Sequence, residues 1–85
     1  MTGKPELLTS QLLPGKRHAS VEILQRALVV AVGLKDYERG KFDVKTQRAY
    51  ARFQRLIGIA GSDANGVPTQ STLTRLALET QMFKI

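Results

Sequence analysis

Apolar positions gather into three helical stretches separated by glycine-rich breaks. In the first, Ser20 to Val32, Val21, Leu24, Leu28 and Ala31 recur at the spacing of one helix face. Ile23, Ala27 and Val30 widen that stripe, and past its start only Glu22, Gln25 and Arg26 are polar. A helix this apolar is expected at the centre, covered on several sides. Val29, Val30 and Val32 would also suit a strand, but a run this long without Gly or Pro favours the helix. Ser20 or a residue just before it is the expected N-cap, and Gly33 the left-handed C-cap.

Asp43 is a natural N-cap for a second helix over Val44 to Ile57. At 100° per residue, Ala49, Tyr50, Phe53, Leu56 and Ile57 occupy an arc of about 120°, and Lys45, Arg48, Arg52 and Arg55 a separate arc of about 80°. No acid interrupts that basic stripe. A turn-rich loop from Ile59 to Pro68 leads to a third helix, Gln70 to Glu79, capped by Thr69, with Leu73, Leu76 and Ala77 facing inward. Ahead of Pro14-Gly15, Leu7, Leu8, Leu12 and Leu13 allow a turn or two of helix packed on the rest. The pattern predicts an all-α fold. It is a compact three-helix bundle with an N-terminal extension (1–13), a domain (14–80) and a tail (81–85) that carries no readable signal.

The bundle contains a repeat. Leu24-Gln25-Arg26 is followed by Gly33-Leu34, Gly40, Asp43 and Thr46; Phe53-Gln54-Arg55 is followed by Gly58-Ile59, Gly66, Thr69 and Thr72. In each half a Gly precedes the next N-cap by three residues and a Thr by six. Glycine permits the positive φ of a sharp turn into a helix start. A Gln beside a large apolar residue can reach inward and bond loop backbone that would otherwise lack a partner, so Gln25 and Gln54 are expected to brace the two loops.

The chain has 85 residues, 42% of them hydrophobic, which suits one small globular domain. No apolar run approaches the roughly 20 residues that span a bilayer. Met1 to Gln11 holds Lys4 and Glu6 and no continuous apolar stretch, so no signal peptide is expected there. Cysteine is absent and histidine occurs once, at His18. Thiol chemistry is thereby excluded, a metal site lacks ligands, and a catalytic triad would rest on His18 alone, which reads more simply as a surface residue. No cofactor, metal or catalytic residue is expected. The net charge of +6 favours anionic polymers such as nucleic acid, acidic lipid or bacterial wall, and equally suits plain solubility.

From Gly15 to Leu76 the sequence resembles the peptidoglycan-binding domain family, a three-helix module with an internal repeat found in bacterial cell-wall hydrolases and phage endolysins. The residues that carry the resemblance are Gly15, Val21, Leu24-Gln25, Leu28, Gly33, Gly40-Lys41-Phe42-Asp43, Thr46, Ala49-Tyr50, Phe53-Gln54, Gly58-Ile59, Asp63, Gly66, Thr72-Leu73 and Leu76. Two stretches depart from it: His18-Ala19 replaces a more glycine-rich approach to the first helix, and Gly61 to Pro68 is longer than the usual Asp-Gly turn. The resemblance implies a non-catalytic module that holds a covalently linked lytic or wall-remodelling enzyme on murein. It implies a monomer whose partner is peptidoglycan, located at the wall or periplasm or delivered there by phage.

A murein binder needs exposed aromatics for sugar faces, Arg forks for carboxylates and amides for peptide. Tyr37, Arg39, Lys41, Gln47, Tyr50 and Asn65 are the candidate ligand-binding residues. Tyr37 reads equally as a loop residue covering the core edge, and Arg39 and Lys41 as a solvated loop. Gln47 lies off both arcs and is free for ligand. Tyr50 is expected with its ring buried and its hydroxyl reaching a partner or solvent. Asn65 and Asp63 also read as turn residues. Gln25, Gly40, Phe42, Asp43, Phe53, Gln54 and Gly66 are assigned to structure. Two other functions compete. A docking module of a phage or secretion assembly would show an exposed apolar face on Leu7, Leu8, Leu12 and Leu13. A nucleic-acid-binding domain would use the basic stripe, but the long loop before the third helix and the lone Arg75 on it count against a helix-turn-helix.

Overall fold

Each main helix starts where a side chain can satisfy the free N–H groups of its first turn. In the computed structural model, which describes residues 3–85, α1 spans Ala19–Val32, α2 Val44–Leu56 and α3 Gln70–Thr80, with short 3-10 turns at Thr9–Gln11 and Gly61–Asp63. Met1 and Thr2, the first residues of the predicted extension, lie outside the described residues. Asp43 caps α2 and Thr69 caps α3, each accepting from the N–H three residues on. The α1 cap is His18, whose Nδ1 accepts from Ser20 N at 2.9 Å. Ser20 sits inside the first turn, buried, and donates its hydroxyl to Gln11 Oε1 at 2.8 Å. At the other end of α1, Gly33 takes φ 71° and its N–H returns to the carbonyls of Leu28 and Val29.

Helix α1 packs on both α2 and α3, which makes it the central element. The core takes Val21, Leu24, Ala27 and Leu28 from α1, Ala49, Tyr50 and Phe53 from α2, and Leu73 and Leu76 from α3. Leu34 and Phe42 close it from the first long loop. The central helix is not covered all round, however. Val30, expected to widen the buried stripe, is 65% exposed, and Val29 is exposed beside it.

Helix α2 also departs from its hydrophobic pattern. Leu56, placed in the apolar arc, is 71% exposed, while Thr46 and Gln54 are buried. The buried face is rotated by roughly 30° from the apolar arc, toward Gln54. Two polar residues lie inside because the loops supply hydrogen-bond partners there.

The chain ends belong to the core. Leu7, Leu12 and Phe83 are buried, each worth roughly 2 kcal/mol of apolar burial. Leu7 N donates to Lys84 O at 3.0 Å and Lys84 N to Pro5 O at 2.9 Å, so the leading segment and the tail run side by side. Of the four leucines on which a docking module would show an exposed apolar face, Leu7 and Leu12 face inward and Leu8 and Leu13 are exposed. Among the described residues no helix is long and apolar enough to cross a membrane.

Candidate functional site

The loops before α2 and α3 are held by buried glutamines. Gln25, fully buried on α1, accepts from Gly40 N at 2.9 Å and donates from Nε2 to the carbonyls of Glu38 (2.9 Å) and Lys41 (2.8 Å) and to Thr46 Oγ1 (2.9 Å). Gln54, on α2, accepts from Gly66 N at 2.8 Å and donates to the carbonyl of Val67 at 3.2 Å. The two braces have one register. In each the amide oxygen meets the loop glycine and the amide nitrogen meets the carbonyl one residue later. Gly40 N and Gly66 N have no backbone acceptor among the described residues, so a buried amide from the preceding helix supplies one.

Asp43 ties the first loop to α2. Its Oδ1 accepts from Thr46 N (2.8 Å) and Thr46 Oγ1 (2.6 Å), and its Oδ2 from Glu38 N (2.7 Å). Partial burial pushes the Asp43 carboxyl up, but these donors outweigh it and hold the group below the usual aspartate value. Arg17 hydrogen-bonds and ion-pairs with Glu38 at the rim of the same loop, holding that exposed carboxyl low. The chain leading into α1 pairs with the loop directly: His18 N donates to Gly40 O, and Phe42 N to Lys16 O.

The structure divides the candidate ligand residues into two groups. Tyr37, Arg39 and Lys41 belong to the first loop. Tyr37 is half-buried against the core, Arg39 is largely exposed and reaches Glu22 on α1 at 3.8 Å, and Lys41 is half-buried. Gln47 and Asn65 meet each other across α2 and the second loop. Gln47 Nε2 donates to Asn65 O at 3.0 Å, so the amide expected to be free for ligand is committed to loop backbone. The reason is close packing at Gly66, where a Cβ would lie 2.3 Å from the Gln47 carbonyl oxygen. Asn65 is exposed, and its Oδ1 accepts from Val67 N at 2.9 Å as a turn residue does. Tyr50 is withdrawn from any surface site. Its side chain is fully buried, its hydroxyl bonds Thr72 Oγ1 at 2.8 Å, and burial pushes its pKa up to about 12 against that bond.

Reading the residues in order missed three participants. His18 reads from the sequence as a surface residue, yet it caps α1 although the usual cap set is Ser, Thr, Asp and Asn. Glu22 meets both Arg26 and Arg39, and the second of these contacts crosses from helix to loop. Lys35 lies outside any helix and joins the α2 basic face only through packing, across a concavity of about 280 Å³. Comparison with family models, with curated proteins and with solved structures finds no match to this chain.

Proposed function

We propose that this domain is a non-catalytic peptidoglycan-binding module that keeps a covalently attached lytic or wall-remodelling enzyme on murein. The observation that supports the reading is the repeated unit of helix, buried glutamine and loop glycine. Its members, Gln25 with Gly40 and Gln54 with Gly66, are among the residues on which the sequence resembles that family. The braces hold two loops in fixed shape, and fixed loops present ligand groups at low entropic cost. Tyr37, Arg39, Lys41 and Asn65 are the groups these loops offer: a ring edge, two cations for murein carboxylates and an amide for its peptides. A single small module of this kind works as a weakly binding monomer, with avidity supplied by the insoluble polymer.

The test is co-sedimentation of the chain with washed sacculi stripped of teichoic acid, at low and at moderate salt. Retention at moderate salt is expected, weakened by Arg39→Ala and by Asn65→Ala, two exposed positions whose loss leaves the core intact. Tyr37→Ala is run with a thermal melt beside it, because that ring also packs on the core. Loss of retention on raising the salt, with no effect of the loop substitutions, would show generic basic adhesion and refute a murein site.

A further inference from the structure

Charge is segregated on this molecule. The chain carries thirteen Lys and Arg against seven Asp and Glu. Its ion pairs, Arg17 to Glu38, Arg26 and Arg39 to Glu22, and Arg75 to Glu79, all lie away from the outer face of α2. On that face Lys45, Arg48, Arg52 and Arg55 are exposed, and none forms an ion pair among the described residues. Lys35 adds a fifth cation from the loop after α1, with Asp36 the one acid lining the same concavity. Arg52 is also anchored: its Nη2 donates to Val32 O at 3.2 Å, at the carbonyl end of α1.

The face is grooved. Arg48 and Arg52 wall a concavity of about 280 Å³ with Lys35 and Lys45. Arg52 also borders a second hollow, of about 400 Å³, with Arg55, Val32 and Leu56. Arg48 also borders a third, of about 240 Å³, with Gln47 and Asn65. Through these shared arginines the three hollows adjoin along α2, and the basic residues from Lys45 to Arg55 cover about 15 Å of its axis. A row of hollows lined by cations and a little aliphatic surface fits a linear polyanion whose units have a saturated carbon backbone and no bases to stack. Base stacking has no platform here. Phe42, Tyr50, Phe53 and Phe83 are buried and Tyr37 is half-buried against the core.

We propose that this groove holds a poly(polyol phosphate) chain, the phosphodiester class of polymer that accompanies murein in a bacterial wall. The inference rests on the wall-binding reading but places a second ligand along α2, away from the Tyr37 and Arg39 loop and meeting the first site only at Asn65. Arginine forks match phosphate oxygens, and counterion release makes the contact steeply salt-dependent.

The experiment titrates the chain with purified poly(glycerol phosphate) at graded salt, beside single-stranded and duplex DNA of equal phosphate count. Engagement of four cations gives a log K against log salt slope of about −3. Arg48→Gln with Arg55→Gln removes two exposed, unbonded side chains and is expected to weaken polymer binding about tenfold. Lys16→Gln with Lys84→Gln removes the same charge elsewhere and is expected to cost less than about threefold. Equal losses in the two double variants, tighter binding to either DNA, or no binding to the polymer at low salt would each overturn the proposal. The Arg48→Gln, Arg55→Gln variant is also sedimented with stripped sacculi. There it should be retained like the parent chain. Failure of both chains on stripped sacculi, with polymer binding intact, sinks the murein reading and leaves this one standing.

Discussion

Gln25 reaches Gly40 N and Lys41 O, and Gln54 reaches Gly66 N and Val67 O, in one register. What surrounds the two braces differs. The first loop is closed by a carboxylate: Asp43 takes three donors, and Gln25 has two further acceptors in Glu38 O and Thr46 Oγ1. The second is closed by neutral groups, with Thr69 and Thr72 in a reciprocal capping pair and the buried Tyr50 hydroxyl on Thr72. The glycines differ as well. Both have positive φ, 84° at Gly40 and 78° at Gly66, but Gly40 faces open space and Gly66 lies against Gln47. One backbone solution therefore persists while the first half uses charge and the second uses contact.

The comparison breaks hardest at the glycines. Gly66→Ala forces a Cβ into the Gln47 backbone in addition to left-handed strain, and is expected to cost about 4 kcal/mol. Gly40→Ala meets no atom within 4 Å and carries only the strain, about 1–2 kcal/mol. Urea unfolding of both variants checks this, and equal losses would show that the two loops are packed alike. Next come the amides. Gln25→Ala strands Gly40 N but leaves Glu38 O bonded by Lys41 N and Lys41 O by Asp43 N, and Gln54→Ala strands Gly66 N and Val67 O, so each is expected to cost about 2 kcal/mol, read by the same urea melts. For a domain whose whole stability is roughly 4–13 kcal/mol, either is a large fraction.

Acid should distinguish the halves. The folded pKa of Asp43 lies below its ordinary 3.8, so the unfolded chain binds the proton first as pH drops. The stabilisation is complete above that ordinary value and is lost as pH falls through the lowered one. Asp43→Asn, about 1 kcal/mol less stable at pH 7, should approach the parent chain in denaturant melts as the pH is taken progressively below 3.8. A gap that persists undiminished in acid would mean that the carboxylate charge contributes nothing. An effect of similar size belongs to the second half and to alkali. Tyr50 rises from 10.0 to about 12 on folding, so its contribution is complete below pH 10 and is lost toward pH 12. Tyr50→Phe should cost about 1 kcal/mol at neutral pH and lose the tyrosinate absorbance step that accompanies alkaline unfolding of the buried ring.

Much of the repeat was legible in the residues. Asp43 and Thr69 stand at their caps, Gly33 at its left-handed turn, and the Gln-to-Gly spacing points to bracing before any contact is known. The candidate site was less legible. Gln47 lies between two arcs on a helical wheel, and nothing local says that Gly66 will press against its carbonyl or that Asn65 O will accept from its amide. Leu56 looks buried by hydrophobicity alone, because the pattern does not register that Thr46 and Gln54 have partners waiting inside.

Local chemistry, written in the order of residues, determined the three helices, the caps of α2 and α3, the all-α class and the repeat. Those depend on periodicity and on groups within a few positions of each other. Tertiary structure alone decided that the ends complete the core through Leu7, Leu12 and Phe83, that Val30 and Leu56 stay outside, and that Lys35 joins the basic face of α2. Each of those outcomes depends on contacts between residues far apart in the chain. Burial is a property of the neighbours a side chain meets, and periodicity names the face but not the neighbour.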